Sequence, residues 1–146
     1  MNQEGNSVTI EMKTDITDGD QKHSSNFQAE GKLFRKNNSL YLQFKEDNKE
    51  IGAVNQVVKI DNQQSVTVLR QGAVSMKQQF LIREKTEGVY RSQFGPMLMD
   101  TYTKHIKLEI DEQQAIGTVQ LSYQLHMQHE FAGDYEVTIN FRRSNR

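Results

Sequence analysis

Apolar and polar residues alternate with a period of two along most of the chain. In TVQLSYQL, Val119, Leu121, Tyr123 and Leu125 alternate with polar residues. The same pattern recurs in YEVTINF and in SLYLQF. Such alternation indicates β-strands that bury one face and expose the other. The turns between the segments, among them KNNS, DNQQ and DEQQ, are short. Short turns join antiparallel neighbours, because a parallel crossover needs about a dozen residues or more.

These segments predict an all-β protein, an up-and-down antiparallel β-barrel of about eight to ten strands. Closure into a barrel removes the exposed edges that an open sheet would keep. A two-sheet sandwich is the alternative. We expect residues 1–146 to form one domain, since no boundary, repeat or low-complexity segment is visible. The polar stretch TDITDGDQKHSSN, residues 14–26, is predicted to be a loop.

The alternation slips in the segment LMDTYTKHIKLEI. Met97 and Met99 are apolar on odd positions, whereas Ile106 and Leu108 are apolar on even positions. A β-bulge near Lys104–His105 adds one residue to the strand and would turn both sets toward the interior. Met97 and Met99 are then expected to point inward near one end of the barrel. Core filling is favoured over ligand contact for them, because side chains normally fill small barrels and methionine fits irregular gaps.

Composition narrows the class of protein. Apolar residues make up 35% of the chain, but seven Phe and five Tyr remain, which favours a small core over disorder. The net charge is −1, so nucleic acid is not an expected partner. No apolar run approaches the roughly 20 residues of a membrane span. The start, MNQEGNSVTI, does not resemble a signal peptide. We therefore expect a cytoplasmic location and no membrane partner; the oligomeric state is left open.

Catalytic and metal-binding motifs are missing from the sequence. There is no cysteine, no Gly-rich loop between a strand and a helix, and no Ser, His and Asp arrangement. His126 and His129 have the spacing of a metal pair, but on a strand that spacing places them on opposite faces. His129 is interpreted as a surface histidine at a turn rather than a haem ligand. We therefore predict no catalytic residue, no metal and no cofactor, and expect that the protein is not an enzyme.

Three polar residues break the apolar pattern. Arg70 shares the parity of Val66 and Val68, and Glu46 shares that of Phe44. An inward charge in a barrel needs a partner, and Glu46 is the candidate partner of Arg70. The alternative is that each lies beyond the end of its strand, in water. Gln78 also has inward parity, and a buried glutamine implies a polar network or a polar ligand group.

The barrel-interior candidates for ligand contact are thus few. They are Arg70, Gln78, Met99 and Tyr123, while Glu46 and Arg70 are also candidates for a structural ion pair.

Four stretches of the chain resemble the YwiB-like family of small bacterial proteins of unknown function. They are AEGKLFRKNNSLYLQF, VTVLRQGAVSMKQQF, GVYRSQFGPMLMDTYT and TVQLSYQL together with GDYEVTINF. The resemblance covers nearly the whole chain and implies a calycin-like barrel, the architecture of lipocalins. It also implies a cytoplasmic protein of a Gram-positive bacterium. The family brings no established activity or ligand, so it assigns no role to any residue here.

Two functions fit these observations. The first is the binding of a small, partly apolar molecule inside the barrel, since barrels of this size can hold one. The second is a non-enzymatic interaction or structural module whose barrel is filled by side chains and which acts through its outer surface. The first rests on analogy of fold, which does not establish function. A continuous internal cavity would favour the first over the second.

Overall fold

Ten β-strands form a closed antiparallel barrel in which each strand pairs with its neighbours in the chain and β1 pairs with β10. The computed structural model describes residues 5–49 and 52–144. The strands are β1 (Asn6–Asp18), β2 (Gln21–Lys36), β3 (Ser39–Asn48), β4 (Gly52–Asn62), β5 (Ser65–Gly72), β6 (Ser75–Leu81), β7 (Lys85–Ser92), β8 (Gly95–Asp111), β9 (Ile116–Met127) and β10 (Glu130–Arg143). The predicted up-and-down barrel is confirmed, and the two-sheet sandwich is excluded. The described residues include no helix long and apolar enough to cross a membrane.

The side chains of β9 and β10 face the interior and the solvent in turn, as the alternation predicts. Val119, Leu121 and Tyr123 are buried, while Gln120 between them is exposed. On β10 the buried residues Val137, Ile139 and Phe141 alternate with the exposed Glu136 and Asn140 and the half-buried Thr138. Directly paired residues face the same side of a sheet, and Tyr135 pairs with Tyr123 and Val137 with Leu121. The two strands thus present one continuous apolar face to the interior.

The predicted bulge lies in β8 at Lys104. Thr103 pairs with Tyr123 and His105 pairs with Ser122, so that Lys104 has no direct partner on β9. The extra residue lets the buried Thr103 and the half-buried Ile106 both face the core. The parity slip is therefore a bulge, as the sequence indicates.

The loop predicted for residues 14–26 is wrong. β1 continues to Asp18 and β2 begins at Gln21, so only a tight turn separates them. Gly19 takes a positive φ of 62° in this turn, a conformation open to glycine at little cost. Polar cross-strand contacts replace apolar ones here, since the Ser24 hydroxyl donates to the Asp15 carboxylate. The hairpin lacks apolar alternation because both of its faces meet solvent near the tip.

The barrel has two unlike ends. The end at which the even-numbered strands finish, called the closed end, is packed by apolar side chains. These are Leu33, Leu40, Ile60, Ala115 and Phe141, all at most 6% exposed. Arg35 Nη2 and Nε also bind both oxygens of Glu112 across this end, at 2.8 to 3.1 Å. The end at which the odd-numbered strands finish is called the open end.

Two seams in the barrel wall have few paired residues. β2 and β3 pair only between 31–36 and 39–44, so near the open end no backbone pairing joins them among the described residues. β6 and β7 pair only at Ser75–Arg91 and Met76–Tyr90. Beyond that point the Thr86 hydroxyl donates to the Gln79 carbonyl in place of a regular ladder. The wall is consequently least continuous beside the open end and along β7.

Candidate binding cavity

A cavity of about 400 Å³ occupies the half of the barrel interior near the open end. Its lining comes from every strand of the barrel and combines aliphatic, aromatic, thioether and polar side chains. The aliphatic part is formed by Val58, Val68, Leu121, Leu125, Val137 and Ile139. A cavity of this size lies within the usual range of small-molecule sites, which are mostly apolar with a few placed polar groups.

Three polar side chains form a cluster in this lining, here called the polar cluster: Glu46 on β3, Gln56 on β4 and Arg70 on β5. Arg70 Nη2 donates to Glu46 Oε1 at 3.0 Å, and Gln56 Nε2 donates to the same oxygen at 2.8 Å. The side chains of Arg70 and Glu46 are only 19% and 14% exposed. The ion pair that the sequence predicts is therefore present, on the strands rather than beyond their ends.

The arrangement of the three adjacent strands brings the cluster together. Glu46 pairs with Val54, and Gln56 pairs with Arg70, so the side chains point inward from neighbouring rungs. Arg70 meets Glu46 through a single nitrogen, and its buried Nε has no hydrogen-bond partner among the described residues. An unpaired buried donor is costly, so the hydrogen-bonding needs of the guanidinium are only partly met within the protein.

A second polar contact crosses the cavity wall. Gln78 Nε2 on β6 donates to Thr101 Oγ1 on β8 at 2.9 Å, and both residues are buried. The amide of Gln78 also interacts with the Tyr123 hydroxyl and opposes the increase in its pKa. The buried glutamine thus has its polar network, as the sequence implies.

Aromatic rings form the floor of the cavity. Tyr123 stacks on Tyr135 with ring centroids 5.1 Å apart, and it meets Phe80 edge-on at 4.8 Å. Burial raises the pKa of the Tyr123 hydroxyl well above its usual range, and the neighbouring Tyr135 adds to this effect. Burial likewise raises the pKa of Tyr135. Both hydroxyls are therefore neutral at physiological pH.

Methionines are concentrated in the lining. Of the five methionines among the described residues, four contact the cavity: Met12, Met76, Met99 and Met127. Met99 is 2% exposed and belongs to the core as well as to the lining, so packing and cavity contact are not exclusive for it. Met97 does not line the cavity. Flexible thioether side chains adapt to ligands of different shape and make favourable contacts with aromatic rings.

The cavity lining extends to the seam where β2 and β3 are unpaired. Ser25 and Phe27 on β2 line the cavity, and Ser25 is exposed to solvent. The ring of Phe27 lies 6.1 Å from that of Phe44 on β3, measured between centroids. Part of the cavity lining is thus exposed to solvent at the unpaired seam.

All five site residues predicted from the sequence line this one cavity: Glu46, Arg70, Gln78, Met99 and Tyr123. Sequence reasoning missed Gln56, although its inward parity between Val54 and Val58 is the same signal that identifies Gln78. It also missed Thr101, because a threonine fits either face of a strand.

The histidines lie away from the cavity lining. His129 has a positive φ of 68° in the turn after β9, and its side chain is 78% exposed. Its Nδ1 lies 3.9 Å from Asp100 Oδ2. His126 packs against Phe131 with ring centroids 5.6 Å apart. Among the described residues, no three His, Cys, Asp or Glu side chains are grouped to hold a metal ion.

A larger groove of about 640 Å³ lies on the outer wall and is open to solvent. Its lining includes Thr9, Glu11, Glu109 and Thr118. The groove does not include the polar cluster or the buried Gln78. The internal cavity is therefore the stronger candidate for a binding site.

The fold and the site together define a small antiparallel β-barrel. Its closed end is filled by apolar side chains, and its other half holds an internal cavity. The chain belongs to the family described as Domain of unknown function (DUF1934), whose model matches residues 10–139. It is 30% identical over 134 residues to the uncharacterized beta-barrel protein YwiB of Bacillus subtilis (strain 168), covering 92% of each chain.

The crystal structure of the ywiB protein from Bacillus subtilis has the same fold. It matches with a TM-score of 0.84 and 27% sequence identity, covering 96% of this chain and 93% of the other. The family resemblance seen in the sequence is thereby confirmed. The family description assigns no activity, so the function must be argued from the cavity.

Proposed function

We propose that this protein binds a small, partly apolar molecule inside its barrel, as a carrier or sensor rather than as an enzyme. The observation that carries this proposal is the cavity of about 400 Å³, with an apolar and thioether wall and a single polar cluster. A barrel of about eight strands is just wide enough to be filled by side chains or to hold one small ligand, and the diameter grows with the number of strands. The hollow half therefore argues for binding over the alternative of a filled interaction module.

Binding rather than catalysis is supported by the composition of the lining. The described lining residues include no histidine, cysteine or lysine, and the only ionised groups at neutral pH are Glu46 and Arg70, which bond to each other. A general base must have a free lone pair within hydrogen-bond reach of the proton that it abstracts. An arginine always keeps its proton, and this glutamate already accepts two hydrogen bonds.

The remaining parts of the proposal concern class and location. A closed antiparallel barrel with an internal site resembles the calycin architecture, and we place the protein there. We propose a cytoplasmic location, with which a cysteine-free chain that needs no disulfides is compatible. Neither nucleic acid nor membrane is part of the proposed function.

Native mass spectrometry of the protein purified from its own host tests the proposal. We expect an additional mass from one small molecule per barrel, lost on denaturation. Val68→Phe should abolish this mass because it fills the cavity. Leu69→Phe is the matched control, since the adjacent residue does not line the cavity and the variant should retain the mass. A wild-type protein that binds nothing in host extract would contradict the proposal.

A further inference from the structure

Two charges of opposite sign line the cavity, and they neutralise each other. Among the described lining residues, Glu46 supplies the one negative charge and Arg70 the one positive charge at neutral pH. They lie 3.0 Å apart and are largely shielded from solvent. Tyr123 and Tyr135 add no charge, because burial holds both in the neutral form. The site is therefore polar but has no net charge.

A site without net charge discriminates against ions. A carboxylate that entered would meet Arg70 but also the like charge of Glu46, and it would lose its own hydration. An ammonium ion would meet Glu46 but also the like charge of Arg70, and it would lose its hydration as well. Removing an ion from water into a protein interior is unfavourable unless a free counter-charge offsets the lost hydration. Here each counter-charge is already engaged.

The polar cluster nevertheless has hydrogen-bonding capacity of both kinds. Arg70 carries only donors, of which Nη2 binds Glu46, and its side chain retains 19% exposure. Glu46 carries only acceptors, of which Oε1 receives Arg70 and Gln56. A head group that accepts from the guanidinium and donates to the carboxylate would satisfy both without adding charge.

We propose that the ligand of this cavity is an uncharged amphiphile with an apolar body and one head group that both donates and accepts hydrogen bonds, such as a primary amide or an alcohol. The inference rests on the proposed binding function and names its ligand class. The head group binds Glu46 and Arg70, and the body lies against the methionine and tyrosine wall.

Three probes with the same alkyl chain separate the possibilities: octanamide, octanoate and octylammonium. In calorimetric titrations at neutral pH, octanamide should bind at least about tenfold more tightly than either ion, a difference of about 1.4 kcal/mol. Octanoate or octylammonium that binds as tightly as the amide would overturn the inference but support the binding function. No binding of any probe would instead contradict the proposed function.

Glu46→Gln tests the charge argument on the same probes. The substitution keeps the shape and an acceptor oxygen but leaves Arg70 uncompensated, so the affinity for octanoate should rise about tenfold relative to that for octanamide. Glu112→Gln is the matched control. It makes the same charge change in a carboxylate that also binds an arginine, but at the closed end, outside the cavity.

Arg70→Gln provides the reciprocal test, in case Glu46→Gln lowers the yield of folded protein. It leaves Glu46 as the unpaired charge, so octylammonium should gain affinity and octanoate should lose it. An unchanged order of the three probes in both variants would overturn the inference, because charge compensation would then not govern the choice of ligand.

Discussion

Gln78 on β6 donates a hydrogen bond to Thr101 on β8 at 2.9 Å, although β7 lies between the two strands. The inward positions of β7 at this level are Thr86 and Gly88, which pair with Thr101 and Met99. A Cβ atom added at Gly88 would lie 2.7 Å from the Lys77 carbonyl oxygen and 3.4 Å from the Met99 methyl carbon. Small residues on β7 thus allow its two neighbours to bond directly, where regular β6–β7 pairing is missing.

Thr101→Val should destabilise the protein by about 1–3 kcal/mol, because the buried Gln78 amide loses its acceptor while the shape is kept. Urea denaturation measures the change. Thr118→Val is the control, since Thr118 bonds Asn140 on the exposed outer wall and should change the free energy of unfolding by less than about 0.5 kcal/mol. Equal stability of Thr101→Val and wild type would show that Gln78 does not depend on this bond.

Arg70→Met should lower the free energy of unfolding by about 1–3 kcal/mol, because Glu46 loses its charged partner in a largely buried site. Arg35→Met removes the arginine of the Arg35–Glu112 pair, whose side chains are 49% and 43% exposed. Solvent screens that pair, so its loss should cost about 1 kcal/mol or less. The reverse order of the two variants in thermal and urea unfolding would argue against a structural role for Arg70.

The buried Tyr123 makes the free energy of unfolding depend on pH in the alkaline range. Its folded pKa is raised above the unfolded value of 10.0, so the stabilisation is complete below that pH. As the pH rises further, the stabilisation falls by up to about 1.4 kcal/mol per pH unit, because the unfolded chain releases the tyrosine proton first. Tyr123→Phe should therefore reduce the decline in unfolding free energy above that pH. Parallel curves for the two proteins would contradict the assigned burial.

Much of the fold was predictable because inward positions repeat every second residue. The facing of Val119 to Leu125 and the bulge at Lys104 both follow from that period. The pairing of Arg70 with Glu46 was also predictable, since an inward charge needs a counter-charge. The failures have physical causes. Strands that expose both faces near residues 14–26 carry no apolar alternation, and a local pattern cannot show that four distant methionines converge on one space.

The most direct test of the account is nuclear magnetic resonance of the protein with labelled methionine methyl groups, titrated with octanamide and separately with octanoate. A molecule bound in the cavity should shift the methyl signals of Met12, Met76, Met99 and Met127, which line it. The signal of Met97, which does not line it, serves as the internal reference and should shift less than the other four. If neither probe shifts the four cavity signals, or if Met97 alone responds, the cavity is not a binding site for molecules of this kind.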